Sequence, residues 1–333
     1  MIQQPKITQQ ILPRQARAEL GLTARAFAPS NIALVKYWGK RNFELNLPMT
    51  DSLSISLGNL GTTTKLTICS AKHQIKLDGQ SVAETSSFAK RLIEFLELCR
   101  PNPSIFYQVD TISDIPVAAG LASSASGFAV LVKALNRLHA WQLSEQQLSV
   151  LARMGSGSAC RSLWNGFVKW QRGIRDDGMD SFAQPLDINW PDLRIGLLLL
   201  STTPKAIGSR EAMNITVNTS QLYQSWPAQV AEDIISMEQA LVTKDFELLG
   251  STSEANAIMM HETMLTSDPK IEYSTPETCA ARKQVQKLRE SGVSVYFTQD
   301  AGPNLKLLFL AKDQDAILSE FRSLKVINPF ITG

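Results

Sequence analysis

The stretch PVAAGLASSASGFA, Pro116 to Ala129, constrains this chain more than any other part of its sequence. It follows SIFYQVDTI (104 to 112), which reads as a strand, and leads into FAVLVKALNRL, whose apolar residues recur at helical spacing. Strand, tight loop and helix in that order require helices layered on a sheet. The loop is predicted over Ser113 to Gly120 and the helix from about Ala122 to His139. Small residues let a ligand approach the backbone closely, and the first helical turn leaves amide N–H groups unpaired, so an anion is well placed there. Gly120, Leu121, Ala122, Ser123, Ser124 and Ser126 are the candidate phosphate ligands. The hydroxyls of Ser123 and Ser124 also suit a hard cation such as magnesium. A Ser-capped, Ala-rich helix packed tightly on a sheet accounts for the same residues. The stretch has no Walker lysine, and its glycines do not fit a dinucleotide fingerprint.

Around that unit the chain reads as α+β in two lobes. With 333 residues, 44% of them hydrophobic, two domains are expected. Residues 1–22 lack periodicity and read as a flexible extension, residues 23–190 as an N-terminal lobe and 191–333 as a C-terminal lobe, the boundary falling at NWPDL. In the first lobe TTTKLTICS (62 to 70) and HQIKLDG (73 to 79) alternate like a hairpin. Helices are predicted after Ser86 and Ser144, with GFVKWQ (166 to 171) as a strand. In the second, the strand RIGLLLLS precedes helical patterns at about 208 to 217, 219 to 242, 245 to 266 and 276 to 291. GVSVYFTQ and LKLLFL then form a hairpin through DAGPN.

Charge narrows the function classes. Thirty-three basic residues face 31 acidic ones with no basic run, so a nucleic-acid partner is not expected and any anion site is built locally. No apolar run is long enough to span a bilayer, and the N-terminus lacks the pattern of a signal peptide, so neither a membrane partner nor export is expected. The four cysteines, Cys69, Cys99, Cys160 and Cys279, are scattered without metal spacing and read as reduced thiols of a cytoplasmic protein. Three histidines supply a metal centre poorly, and His261, in HETM without a second histidine, reads as a surface or packing residue.

Four further segments carry chemistry. APSNIALVKYWGKR ends a strand in Lys36, Tyr37, Trp38, Gly39 and Lys40, whose cations could converge on an anion or lie solvated. MGSGSACRS contains Ser156, Gly157, Ser158, Ala159, Cys160 and Arg161; its guanidinium fork suits a carboxylate or phosphate, or an ordinary salt bridge. KAIGSREAM places Ser209, Arg210 and Met213 at a helix start, where Ser209 also serves as a cap. TQDAGPN carries Asp300 at a turn tip. A turn-forming aspartate is the plain account. Beside phosphate-binding cations the same carboxylate can orient a hydroxyl and take its proton as a phosphoryl group arrives.

Taken together, NIALVKYWGKR, LNLPMTDSLSISL, AAGLASSASG, GSGSACRS and YFTQDAGPN, in that order, resemble the GHMP kinase superfamily and within it the diphosphomevalonate decarboxylases. The resemblance covers nearly everything from Thr23 onward. It implies a ribosomal protein S5 domain 2-like N-terminal lobe, a GHMP C-terminal lobe and a cleft between them, in a homodimer. It implies ATP and magnesium, with 5-diphosphomevalonate as the small-molecule substrate, phosphorylated at its tertiary hydroxyl and decarboxylated to isopentenyl diphosphate. On the matching positions, Asp300 would orient or deprotonate the hydroxyl with Lys36 beside it, and Arg161 would hold the substrate carboxylate. The substrate and its diphosphate would be surrounded by the Tyr37 to Lys40 and Ser156 to Cys160 segments with Ser209, Arg210 and Met213. Relatives with altered chemistry, a monophosphate decarboxylase, a 3-kinase or a silent binding protein, are the alternatives. Three departures stand out: Gly208 where the family often has Ser, Ala212 where it has Gly, and Asp51 where Asn is usual. Asp51 would weaken anion binding if it faced the cleft.

Overall fold

The computed structural model describes residues 6–114, 123–203 and 205–330. The chain begins with helix α1 (Lys6–Ile11), then strands β1 (Thr23–Val35), β2 (Lys40–Asn42), β3 (Leu47–Pro48), β4 (Ser52–Cys69), β5 (Gln74–Leu77) and β6 (Gln80–Ser81). Helix α2 (Ser87–Cys99), strand β7 (Phe106–Ser113), helices α3 (Ser123–His139) and α4 (Glu145–Gly155), a 3-10 turn at Gly157–Ser162, and strands β8 (Phe167–Trp170) and β9 (Ala183–Pro185) complete the first lobe. The second comprises β10 (Leu193–Leu198), α5 (Ser209–Thr219), α6 (Trp226–Thr243), α7 (Phe246–Leu265), α8 (Pro276–Glu290), β11 (Val295–Gln299), β12 (Leu305–Leu310), α9 (Gln314–Glu320) and β13 (Lys325–Ile327).

Helix starts follow from local capping. Ser86 caps α2 through the Ala89 amide; Ser144 and Gln147 close a capping box on α4, and Thr275 with Thr278 closes another on α8 after Pro276 at its first turn. Each cap satisfies amides that the helix cannot pair internally.

The first sheet runs β6-β5-β7-β4-β8-β9, with β1 also paired to β4. The eighteen residues of β4 organise it: β1 pairs along most of its length, β7 takes Thr62 to Cys69 and β8 takes Ser52 to Ile55. The expected hairpin between residues 62 and 79 does not form. Strand β7 lies between its two arms, pairing antiparallel with β4 and parallel with β5. Alternation identifies a strand and its buried face, but the partner is chosen by long-range packing. The second sheet is antiparallel, β11-β12-β10-β13, with β11 and β12 paired as the predicted hairpin.

A second correction concerns the N-terminus. Residues 6–22 are packed rather than flexible: Ile7 and Ile11, four apart on α1, are each 3% exposed in the first-lobe core. Burying two such side chains contributes about 1.5–3 kcal/mol each. The imidazole Nδ1–H of His139 donates to the Arg17 carbonyl at 2.5 Å, and Tyr107 Oη lies 2.8 Å from its Nε2.

The two lobes share a core. Ile32, Leu34 and Val35 from β1 and Leu53, Ile55 and Leu57 from β4 belong to the same apolar cluster as Met237, Leu241 and Met260 of α6 and α7. That shared packing holds the ends of β1 and β11 against each other, and the functional loops leave the sheets at that point.

Candidate active site

A cleft of about 320 Å³ opens between the lobes. At its base, the chain leaves β1 at Lys36, whose buried Nζ donates to the Ala33 carbonyl at 2.7 Å and to Asp300 Oδ1 at 2.9 Å. Asp300 begins the turn between β11 and β12, and its second oxygen pairs with Lys306 Nζ at 3.1 Å. Both lysine side chains are 2% exposed, whereas the aspartate is 27% exposed, on the cleft. Burial alone would raise the Asp300 carboxyl, but Lys306 and Lys36 outweigh it and hold the group ionised, well below the usual carboxylate range. Burial pulls Lys36 down to about 8, partly opposed by Asp300. The Asp300 main-chain carbonyl accepts from His261 Nε2 at 3.1 Å and from the Gly302 amide at 2.7 Å. His261, expected as a surface or packing residue, is buried and bonded to that carbonyl, and burial keeps it neutral, down at about 3.

Toward the other end lie Lys40, Arg91 and Arg210. Lys40 Nζ donates to Asn46 Oδ1 at 2.6 Å, and the Asn46 amide donates to the Arg153 and Met154 carbonyls at the end of α4. Burial, with Arg210 and Arg91 nearby, lowers Lys40 to about 7. Gly39 lets the chain turn between the two lysines: its φ is +101°, and a Cβ there would overlap the Tyr223 hydroxyl. Arg161, 2% exposed, donates to Ser52 Oγ at 2.5 Å and lies over the Trp170 ring, while its Nε has no partner. The buried Tyr37 hydroxyl is likewise unpartnered and faces Gly157, where a Cβ would sit 2.7 Å from it.

Among the described residues the cleft therefore carries Lys36, Lys40, Arg91, Arg161 and Arg210 against one carboxylate, Asp300. Among the described residues no carboxylate lies within ion-pair distance of Lys40, Arg91, Arg161 or Arg210. Lys40 and Arg161 are buried, and buried cations without counterions are costly unless an anion joins them, whereas Arg91 and Arg210 are exposed. The site is built for a ligand with several negative charges.

Most of the sequence-predicted residues converge here: Lys36, Tyr37, Trp38, Lys40, Ser124, Ser156, Gly157, Ser158, Arg161, Ser209, Arg210, Met213 and Asp300 all line the cleft. Others do not. Ala159 and Cys160 are wholly buried in the 3-10 turn beneath it, where Cys160 Sγ faces the Gly157 carbonyl at 3.0 Å. Gly39 acts through its turn rather than as a lining residue. Ser126 is fully buried and bonded to Thr62 at 2.7 Å and to Ser30 at 3.3 Å, so its hydroxyl serves the helix-on-sheet contact. Ser124 Oγ, 3.3 Å from Ser156 Oγ, does reach the cleft. Gly120, Leu121, Ala122 and the Ser123 side chain lie outside the described residues. Asp51 turns away, accepting from the Arg172 amide at 2.8 Å beside Lys169, so it adds no negative charge to the cleft. Gly208 is the N-cap of α5, with no side-chain cap bond, so Ser209 is the first helical residue rather than the cap expected, and Ala212 is a buried small residue. Sequence reasoning missed Lys306, Asn31, Asn46 and Arg91. Lysine in the apolar run LKLLFL was the signal for Lys306, and Asn31 and Asn46 lie within the quoted motifs NIALVKYWGKR and LNLPMTDSLSISL.

Comparison with known proteins agrees with this geometry. Residues 28–183 match the diphosphomevalonate decarboxylase-like N-terminal domain, and residues 195–329 match the mevalonate 5-diphosphate decarboxylase C-terminal domain. The Aspergillus fumigatus diphosphomevalonate decarboxylase is 36% identical over 90% of this chain and 80% of its own, and the Saccharomyces cerevisiae enzyme is 32% identical over 89% and 80%. The crystal structure of the Staphylococcus aureus mevalonate diphosphate decarboxylase superposes with a TM-score of 0.88 at 35% identity, covering 93% of this chain and 96% of that one. A structure of MDDEF in complex with MVAPP, AMPPCP and magnesium superposes at 0.85 with 38% identity, over 92% and 96%. With both lobes matched by models of one family and the cleft between them lined as described, the chain belongs to the diphosphomevalonate decarboxylases, of GHMP kinase-like fold.

Proposed function

We propose that this protein catalyses the ATP-dependent decarboxylation of 5-diphosphomevalonate to isopentenyl diphosphate, with release of ADP, phosphate and carbon dioxide. The observation that carries the reading is the pairing of two unlike charge arrangements in one cleft: a carboxylate locked between two lysines, and four cations without a protein counterion. The substrate has a carboxylate at one end, a diphosphate at the other and a tertiary hydroxyl between them.

Arg161, with its free Nε, is the holder of the carboxylate. Lys40, Arg91 and Arg210, with Ser209, take the diphosphate. The hydroxyl falls to Asp300. Because Lys36 and Lys306 hold that carboxylate strongly ionised, it is a weak base, and its first task is to accept a hydrogen bond and aim the oxygen at the γ-phosphorus. In a loose phosphoryl transfer the proton leaves late, so a weak, well-placed acceptor suffices. The O–P bond then forms as the bond to ADP breaks. Phosphate departs from the tertiary carbon with the C–O electrons, and the carboxylate carbon leaves as carbon dioxide, its C–C pair becoming the double bond. Lys36, beside Asp300, stabilises charge on the transferring group.

The fit to ATP and magnesium is tested by the donor set. Ser124 and Ser156 place hydroxyls on the cleft wall near the start of α3, as polyphosphate oxygens require. Among the described residues no cluster of three His, Cys, Asp or Glu side chains is found, so magnesium would rest on phosphate oxygens and serine hydroxyls, Ser123 and Ser124 foremost. Magnesium neutralises phosphate charge when bound. A cytoplasmic location is carried with this reading, in keeping with the four free thiols, and a two-chain assembly is carried from the family resemblance alone.

Purified protein incubated with ATP, magnesium and 5-diphosphomevalonate should release ADP and carbon dioxide in equal amounts. ADP without carbon dioxide would make it a 3-kinase, and a higher kcat/KM on the monophosphate would reassign the substrate. Neither product with either substrate would end the proposal.

A further inference from the structure

Lys36 and Asp300 belong to different lobes and meet at 2.9 Å, a contact made by residues 264 positions apart. One helix touches the main chain of both. The Lys36 amide N–H donates to Asn256 Oδ1 of α7 at 2.8 Å, and the Asp300 carbonyl accepts from Nε2–H of His261, five residues further along the same helix, at 3.1 Å. Asn256 is 1% exposed and His261 6%, so neither bond is shared with water at the surface.

The orientation of the asparagine is itself determined. Its Nδ2 donates to Asp233 Oδ2 at 2.7 Å, and the other oxygen of Asp233 accepts from Gln229 Nε2 at 3.0 Å. A carboxylate cannot donate, so the amide nitrogen of Asn256 must face Asp233, and its oxygen must face Lys36. Asp233 is 8% exposed and has amide partners but no ion-pair partner among the described residues, a costly choice for an acid unless its geometry is needed. The histidine is determined by the same logic: held neutral by burial, it must carry its proton on Nε2 to meet a carbonyl.

We infer that Asn256 and His261 are positioning residues that set the separation of Lys36 and Asp300, with Asp233 fixing the asparagine, so that α7 acts as the gauge between the two lobes at the reacting end of the cleft. The inference rests on the proposed decarboxylation for its kinetic consequence, though the geometry stands without it. Neither side chain lines the cleft, so neither touches substrate; their effect passes through the main chain of the residues that do. A displacement of the order of 1 Å at a reacting group costs about 100-fold in rate, so loosening either bond should lower kcat while leaving the anion-binding residues, and hence KM, in place.

The test compares Asn256→Ala, His261→Met and the donor-preserving His261→Gln with the unaltered protein, with thermal midpoints to register stability. The expected result is a kcat lower by about 10- to 100-fold in the first two, KM for both substrates close to unaltered, and substantial recovery in His261→Gln. Equal loss through KM, or no recovery with glutamine, would overturn the inference. So would a fall in thermal midpoint with kcat unchanged. A second readout needs no turnover: the ¹³Cε resonance of Lys36 in labelled protein, assigned by its loss in Lys36→Met, titrated against pH. Lys36 is surrounded by Asp300, Lys306 and Arg161, and burial is the largest influence on it. Asn256→Ala admits water and should move its midpoint up from about 8; His261→Met lets Asp300 recede from a lysine that stays buried and should move it down. Unmoved midpoints in both variants would refute the gauge even if the unaltered protein proved inactive on diphosphomevalonate. An inactive protein with the expected midpoint shifts would refute only the functional reading. Should Asn256→Ala not fold, His261→Met carries both measurements alone.

Discussion

The two ends of the cleft solve opposite electrostatic problems. At the reacting end, Asp300 sits between Lys36 and Lys306, and the charges are largely compensated before any ligand arrives. The anchoring cations differ: Lys40, toward the other end, leans on an uncharged amide, and Arg161, within electrostatic reach of Lys36 and Asp300, leans on a serine hydroxyl, so their compensation is left to the ligand. Preorganisation lowers the cost of reaching a transition state, so the first arrangement suits chemistry. Uncompensated cations gain most when an anion binds, so the second suits recognition. Substitutions at the two ends should therefore fail in different kinetic constants.

The largest effect is expected at Asp300. Asp300→Asn keeps the shape but removes the acceptor, and kcat should fall by about 10³-fold while nucleotide affinity is retained, since the carboxylate acts on the hydroxyl. The variant also takes away the negative charge that Lys36 and Lys306 share, so its thermal midpoint should drop. Retained turnover, or nucleotide affinity lost in proportion, would remove the distinction between the ends. The pH profile sharpens it: kcat/KM should decline above about 8 as Lys36 loses its proton. In Lys36→Arg, which cannot deprotonate in that range, any remaining activity should lack that limb.

Next comes Arg161. Arg161→Gln removes the fork proposed to hold the substrate carboxylate, and kcat/KM should fall by about 10²-fold, mostly through KM if the residue only anchors. A loss confined to kcat would place Arg161 with the reacting end instead.

Lys40 gives a smaller effect with a distinctive sign. In the free protein it titrates near 7, so at pH 8 it is mainly neutral, and a bound diphosphate restores its proton. Binding at pH 8 should take up protons, seen as a calorimetric enthalpy that depends on the ionisation heat of the buffer, and the uptake should shrink toward pH 6, where the lysine is already charged. Asn46→Asp puts a permanent carboxylate where the diphosphate acts. It should abolish the uptake and raise KM by about 10-fold. Uptake that survives in this variant would point to a different titrating group.

Much of this contrast was legible in the sequence because the chain advertises loops. Lys36, Ser156, Arg161, Arg210 and Asp300 sit at ends of strands or helices among small residues, where polar side chains have no packing role, and all five reach the cleft. What escaped reading lies inside regular elements or depends on distant partners. Lys306 occupies a central strand that reads as apolar, Arg91 the face of an ordinary amphipathic helix, and Asn256 meets Lys36 across 220 positions. The same limit explains the hairpin that does not form, since alternation is blind to strand order. Serine was misread in one direction: Ser124 and Ser126 look alike in SSASG, yet helix geometry turns one toward the cleft and the other into the sheet.

The smallest expected effect is also the one that most directly tests why the two ends differ. If the anchoring cations that lack a carboxylate partner are carried at a cost to stability, removing one without leaving a cavity should stabilise the empty protein. Arg161 is the best candidate, because it is buried, its Nε is unpartnered and burial lowers its proton affinity. Arg161→Met keeps much of its length beneath the Trp170 ring and should raise the unfolding free energy by about 1 kcal/mol, while reducing the stabilisation that a given concentration of substrate confers on the unaltered protein. At the reacting end the equivalent substitution, Lys306→Met, should do the reverse, because Asp300 would lose a partner it needs. Should both substitutions destabilise the empty protein alike, the anchoring end would not be held in an uncompensated state, and its cations would have to be balanced by contacts other than the ligand.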